Sequence, residues 1–556
     1  MRAQVHHGLA AGACVLSAIA IAACGGTSSH AAQSSAHTTA DSQAADARTQ
    51  TPAATKSVSS LTWFINPYPP SSFDPVKYND YPEDNIIPNM CESLVRQVPG
   101  MKTVPWLARS WSQPNPTTLV FKLQKGVHFW DGTPMTSADV VFSLKRNLEP
   151  SAQSIYGTVF QYVKSMTATG PDTFTIKFSK PDVTFLPEMA TLASAVVEPA
   201  YVQRVGTKFG TPAGGLMCTG PYKFASWNGT SSAVMTANPN YWDKAAVPKV
   251  KTITFQWPTD AGQTASGYQS GAAAGGFFLS TSVLPTLKSS SAGKLYIGPD
   301  SQAMEVMALI VVGTKGAIEN PLVRRALYMS IDRTGLITAA EAGAGTPGYA
   351  DASPGYFSYA ASQYTAAYQS LATAGDAPAQ AKKLAAQAGA VAKQPIVLAI
   401  PAGSQEVADV GQVVQQSADA AGLNVHLKTV PLDQYGALFS DPSTRKGDDL
   451  IFTINYDQDP DPLAIYDDIA QPAGISNFNH YDNPNVVRLL DEARGTTDLT
   501  KRAALVIQAQ RLVMQDLPWI PLDFRPNTAF VRSGICGVPL DFSMMASPWA
   551  ASVGGC

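Results

Sequence analysis

Residues 126–146 read GVHFWDGTPMTSADVVFSLKR. Asp131-Gly132 is a turn dipeptide, because glycine accepts backbone angles that other residues resist. Thr136-Ser137-Ala138-Asp139 places an acid three residues after a hydroxyl, so each can satisfy a free donor at a helix start. Val140, Val141, Leu144 and Leu148 then fall on one face of that helix. Just upstream, residues 118–125 (TLVFKLQK) alternate, with Leu119, Phe121 and Leu123 on one side of a strand. The stretch therefore reads as strand, turn, helix.

The same alternation continues outward in both directions. Leu61-Thr62-Trp63-Phe64-Ile65 is a strand signal that ends in Asn66-Pro67-Tyr68-Pro69-Pro70, where prolines bar further pairing. Phe174, Ile176 and Phe178 alternate, as do Ile253, Phe255 and Trp257. Asn320-Pro321 opens a helix with a cap and a proline at the first position; Leu322, Val323, Ala326 and Leu327 form its stripe, with Arg324 and Arg325 outside. Residues 371–393 are Ala-rich and helical, with Lys382 and Lys383 exposed. Strands at 396–400 (IVLAI) and 425–430 flank a helix near 405–421, an α/β rhythm. A long helix is expected over 498–515, and Trp519-Ile520-Pro521-Leu522 returns as a strand. Residues 271–276 (GAAAGG) read as a loop.

The chain has 556 residues, with 39 Lys+Arg against 42 Asp+Glu and a formal charge of −3. That near-balance excludes the basic footprint of a nucleic-acid binder. Charged residues are 15% and hydrophobic ones 45%, enough for large cores.

Residues 1–24 read MRAQVHHGLAAGACVLSAIAIAAC. Arg2 precedes an apolar run from Gly8 to Ala23, the length of a signal-peptide core and shorter than a membrane span. Ile21-Ala22-Ala23-Cys24 resembles the bacterial lipobox, which makes residues 1–23 a signal peptide and Cys24 the acylated N-terminus of an exported protein. Residues 24–57, rich in Gly, Ser, Ala, Thr and Gln, read as a disordered tether holding the body off the cell membrane.

Without Cys14 and Cys24, four cysteines remain: Cys91, Cys218, Cys536 and Cys556. An even count in an exported chain suggests two disulfides, with three possible connectivities. We favour Cys536–Cys556, a short C-terminal loop, together with Cys91–Cys218. Of the seven histidines, His6, His7, His30 and His37 precede the fold and only His128, His426 and His480 lie in it. None has metal-ligand spacing. No nucleophile elbow or P-loop pattern occurs, so no cofactor, metal or catalytic residue is expected.

Residues 126–146 are similar to the GVxFxDGxPxTAxDVxFSxxR pattern of the extracellular solute-binding proteins of peptide and nickel ABC importers (family 5, oligopeptide/dipeptide-binding type). Four further stretches resemble that family in order: Thr219-Gly220-Pro221-Tyr222; Asn238-Pro-Asn-Tyr-Trp242; Pro321 to Leu327 with Ile331-Asp332-Arg333; and Pro518-Trp-Ile-Pro521. The resemblance covers about 58–545. It implies an α/β, two-lobed periplasmic-binding-protein-like fold (type II) with an extra subdomain and a hinge between the lobes. Lobe I would take 58–100, 216–305 and 516–556, the extra subdomain 101–215, and lobe II 306–515. Crossovers near Ala303–Val312 and Leu517–Phe524 are the hinge candidates. Most of these motif residues read as architectural, so they identify the fold rather than the ligand.

In peptide-binding members, an Asp in a W-x-x-D-Y-x-D-P-like segment pairs with the peptide's α-ammonium. Here the segment is Asn455-Tyr456-Asp457-Gln458-Asp459-Pro460-Asp461-Pro462. Aligning on Asp461-Pro462 puts Gln458 at the amine-binding position. Either Asp457 or Asp459 takes the role, or the ligand has no free amine and is a polar solute such as a saccharide. By position, Tyr68, Tyr81, Tyr456, Asn477 and Phe478 join the candidate ligand contacts. The resemblance implies capture of a peptide or other small solute by a monomer and delivery to the transmembrane subunits of an ABC permease. A non-catalytic envelope sensor and a tethered hydrolase are the competing classes, the latter without any motif to select its residues.

Overall fold

Two mixed sheets organise the molecule. The computed structural model describes residues 48–65, 68–258 and 260–556. The first sheet has seven strands in the order Gly293–Ile297, Thr528–Arg532, Gly275–Phe277, Val58–Phe64, Val250–Gln256, Ser232–Ala237 and Tyr222–Trp227. The second has six: Thr346–Pro347, Trp519–Arg525, Glu305–Val311, Leu450–Asn455, Ile396–Pro401 and Val425–Val430. A four-stranded antiparallel sheet, Ala108–Asn115, Thr118–Leu123, Thr173–Phe178 and Val163–Gly170, forms the extra unit.

The opening stretch folds as its pattern requires. The Asp139 carboxylate accepts from the Thr136 backbone N–H (2.7 Å) and hydroxyl (2.8 Å) and starts the helix Ser137–Lys145. Val140, Val141 and Leu144 are buried, but Leu148 is 49% exposed. The α-helix stops at Lys145, and the tighter turn Arg146–Leu148 rotates Leu148 off the apolar face. Upstream, Phe121 and Phe174 stack across neighbouring strands at 4.9 Å.

The family-like motifs meet one another in the interior. Glu92, buried beside the Cys91–Cys218 disulfide, accepts from the Thr219 hydroxyl (2.6 Å), the Tyr241 hydroxyl (2.6 Å) and the Trp242 indole (3.1 Å). Burial raises its pKa, while these three donors favour the ionised form. Gly220 lies so close to the Met90 carbonyl that a Cβ would sit 2.3 Å from its oxygen, so only glycine fits. In the second lobe Arg333, fully buried, donates to the carbonyls of Gly348 (2.8 Å), Tyr328 (3.1 Å) and Pro521 (3.0 Å). The Ile331-Asp332-Arg333 and Pro518–Pro521 stretches are thus two halves of one tie.

Both disulfides form as favoured, Cys91–Cys218 across 127 residues and Cys536–Cys556 across 20. In the chain-entropy account the longer loop restrains the unfolded chain by about 5 kcal/mol.

Several boundaries differ from the sequence reading. Residues 48–57 were expected in the tether, yet Thr51 exchanges hydrogen bonds with Val538, and Lys56 with Gly555. The segment adds backbone pairing to the C-terminal strands, which composition does not reveal. The rest of the expected tether, with Cys24 and the signal peptide, lies outside the described residues. The hinge candidates Ala303–Val312 and Leu517–Phe524 are instead mostly strands, and Trp519–Arg525 belongs to the second sheet, not lobe I. Every residue of Glu305–Val311 is buried, and each such aliphatic side chain contributes about 1.5–3 kcal/mol, too much to leave as linker. The chain passes between the sheets at 298–304 and at Pro526-Asn527. Residues 271–276 are not all loop, since Gly275–Phe277 is an inner strand. A Cβ on Gly275 would meet the Trp63 ring at 2.4 Å, so the small residues let that strand pass. Leu322 is exposed, at 37%, although Val323, Ala326 and Leu327 of its helix are buried.

Candidate functional site

The acidic segment closes strand Leu450–Asn455 and opens helix Pro462–Ala470. Asp461 caps that helix by accepting from the Leu463 N–H (2.9 Å), with Pro462 at the first position. Asp457 accepts from the Asp459 N–H at 2.7 Å, which closes a turn. The Tyr356 hydroxyl, fully buried, accepts from the Asp457 N–H (2.6 Å) and donates to the Met304 carbonyl (2.7 Å). The turn is thereby fixed to the segment that crosses between lobes.

A chamber of about 40 Å³ lies in front of this turn. Tyr456, Asp457, Gln458, Asp468, Glu188, Tyr156 and Asn79 line it. The lining comes from the loop before Tyr81, from the extra unit and from the segment that follows strand Leu450–Asn455. The lining contains three carboxylates and no Lys, Arg or His. Asp468 lines the same chamber as Asp457, and the Asp457 charge disfavours its ionisation. Burial is the main cause of their raised pKa values: Asp457 is pushed up to about 6 and Glu188 to about 8, and neighbouring carboxylates add to the effect. Asp468 is raised for the same reasons. The Gln458 Oε1 and the Tyr156 hydroxyl are buried without hydrogen-bond partners. The nearest guanidinium groups are committed elsewhere: Arg494 pairs with Asp467 (2.8 Å) and Asp182 (3.5 Å), and Arg502 with Asp461 (3.4 Å).

The lobes touch beside this chamber. The Tyr81 and Tyr456 rings pack at 4.7 Å, the Tyr456 hydroxyl donates to Asp84 (3.0 Å), and the Tyr81 hydroxyl donates to Glu305. Gln97 Nε2 donates to the Gln458 carbonyl at 2.5 Å. The structure thus brings Tyr81, Tyr456, Asp457 and Gln458 together at the interlobe cleft. Asp459 lies behind them, buried, with Oδ2 unpartnered. Tyr68 sits at the edge and donates to Asp80 at 3.0 Å, in the turn that leads to Tyr81.

Asn477 and Phe478 are not brought to the chamber. Asn477 ties its own loop, donating to the Gln471 (2.9 Å) and Tyr481 (2.8 Å) carbonyls. Phe478 packs on Phe439 and Trp519. Sequence reasoning missed Asp468, Glu188 and Tyr156. For Asp468 there was a signal: Asp467-Asp468 is the only acidic pair in an otherwise apolar helix, PLAIYDDIA. Glu188 and Tyr156 reach the chamber from the extra unit and carry no pattern.

Residues 102–477 match the model of the bacterial extracellular solute-binding proteins, family 5 Middle. The chain belongs to this family. It is a substrate-binding protein of an ABC importer, and the family's members are transport binding proteins. Among the described residues, no helix of this family 5 protein is long and apolar enough to cross a membrane. Over 459 residues it is 25% identical to the glutathione-binding protein GsiB of Escherichia coli K12, covering 81% of this chain and 86% of that one. Its fold is similar to that of the agropinic-acid complex of AgaA from Agrobacterium tumefaciens R10 (TM-score 0.77, 20% identity, 89% of this chain and 99% of that one). It is also similar to the Escherichia coli murein tripeptide-binding protein MppA (TM-score 0.76, 21% identity, 91% and 99%).

Proposed function

We propose that this solute-binding protein captures a peptide by its α-ammonium and hands it to the transmembrane subunits of its importer. One observation carries the reading: Glu188, Asp457 and Asp468 line a chamber whose described lining holds no cation. Desolvated carboxylates without a partner are costly, and the raised pKa values express that cost. An ammonium entering as the lobes close supplies the missing charge. Its three N–H donors match the two carboxylates and the free Oε1 of Gln458, so Gln458 supports the amine reading instead of opposing it. Asp457, with Asp468, takes the role that the family's aspartate holds elsewhere. The names of GsiB and MppA, a glutathione and a tripeptide binder, support a short peptide.

Ligand contacts made to both lobes favour the closed state, which is the transport signal. We further propose that lipid on Cys24 anchors a monomer to the outer face of the cell membrane.

The test is native mass spectrometry of the full chain, purified without refolding. Bound peptide masses that leave on denaturation, and that are absent from Asp457→Asn, support the reading. A saccharide-like mass retained by Asp457→Asn overturns it.

A further inference from the structure

A second chamber, of about 70 Å³, lies on the other side of the Tyr81–Tyr456 pair, against the crossing at Pro526. Tyr81 lines it, as Tyr456 lines the first, so one aromatic pair divides the two. Its charges do not balance. Arg525 pairs with Glu406 (2.8 Å) and Glu341 (3.1 Å), while Glu305 accepts only from Tyr81 and stands within electrostatic reach of the same guanidinium. Asp523, on the same strand as Arg525, is fully buried with neither oxygen bonded. Four carboxylates thus share one cation. Glu341 is 1% exposed, lines the chamber, and its Oε1 has no partner. Burial pushes its pKa up to about 7, and the carboxylates around it push in the same direction as burial.

We propose that this chamber is a second cation subsite, which receives a basic side chain, ammonium or guanidinium, of the captured peptide. The inference rests on the first chamber's holding the peptide's α-ammonium. Arg525 spends Nε on Glu341 and Nη2 on Glu406, and the four carboxylates around it repel a ligand carboxylate, which leaves Glu341 Oε1 and Glu305 as acceptors. Tyr81 and Tyr456 come from opposite lobes, so opening parts the rings and joins both chambers into one cleft. A ligand lying across that line puts one positive charge in each. The preferred solute is then a short peptide carrying lysine, arginine or a similar base.

The test is calorimetric titration of the full chain at pH 7.5 with trialanine peptides carrying lysine or its uncharged isostere norleucine at each position in turn. At one position lysine is expected to bind at least 10-fold tighter. Glu341→Gln is expected to bring that ratio near one, chiefly by weakening the lysine peptide. Glu305→Gln, which keeps an acceptor for Tyr81, is expected to reduce the ratio as well and serves if Glu341→Gln fails to fold. Peptides that bind with no lysine preference at any position, or a preference untouched by both variants, overturn the second subsite alone. Absence of binding by every peptide overturns the first chamber's reading and this one with it.

Discussion

Asp467 and Asp468 are neighbours on one helix and meet opposite fates. Asp467 faces the extra unit and is held by the Arg494 guanidinium at 2.8 Å, which also reaches Asp182. Asp468 lines the chamber with Asp457 and Glu188 and has no ion-pair partner among the described residues. One is structural charge, compensated when the chain folds. The other is charge left for a ligand to compensate. The difference shows why acidity alone does not locate a site: the informative feature is a buried carboxylate whose cation is missing.

The largest expected effect lies on the paired side. Arg494→Met strands Asp467 and Asp182, and breaking a buried ion pair from one end costs about 3–5 kcal/mol. Denaturant unfolding should show that loss; an unchanged midpoint would erase the distinction between the two aspartates.

The unpaired side should instead respond to pH. The folded pKa values of Asp457 (about 6) and Glu188 (about 8) lie above their ordinary 3.8 and 4.5. Stability of the unliganded protein is therefore full below the ordinary values and is lost as pH rises through the folded ones. For Asp457 alone this is of the order of 3 kcal/mol. Thermal melts should give a lower Tm at pH 8 than at pH 5, and a saturating peptide should remove most of the difference. Peptide affinity should weaken as pH falls below about 6, because the ammonium needs Asp457 ionised.

Asp468→Asn sharpens the contrast further. It should weaken peptide binding by about 100-fold, roughly 2.7 kcal/mol, while stability at pH 8 is unchanged or higher. A stability loss like that of Arg494→Met would mean that Asp468 is structural after all. The smallest effect is expected at Lys180, whose pair with Asp491 (3.2 Å) bridges the same seam with both side chains about 40% exposed. Lys180→Gln should cost less than about 1 kcal/mol by denaturant titration.

Much of this architecture was legible in the residues. The helix at Ser137, the Asn320-Pro321 start, the strand at 396–400 and the helix over 405–421 all follow from local caps and periodicity, which act within a few residues. So did both disulfides and the acidic turn around Asp457. Asn477 and Phe478 do not line the chamber, because Asn477 ties its own loop and Phe478 packs onto Phe439 and Trp519, and spacing along a chain carries no record of direction.

The sequence by itself determined the elements, the family and the presence of an acidic segment, because turn chemistry, helix capping and hydrophobic period are local. Tertiary structure alone decided which acids are paired. Glu188 and Asp468 are 280 positions apart, yet they line one chamber. Arg494 reaches Asp182 and Asp467 from a third element. Whether a carboxylate finds its cation is a matter of distance in space and of exclusion from water, and both are set only when the lobes meet.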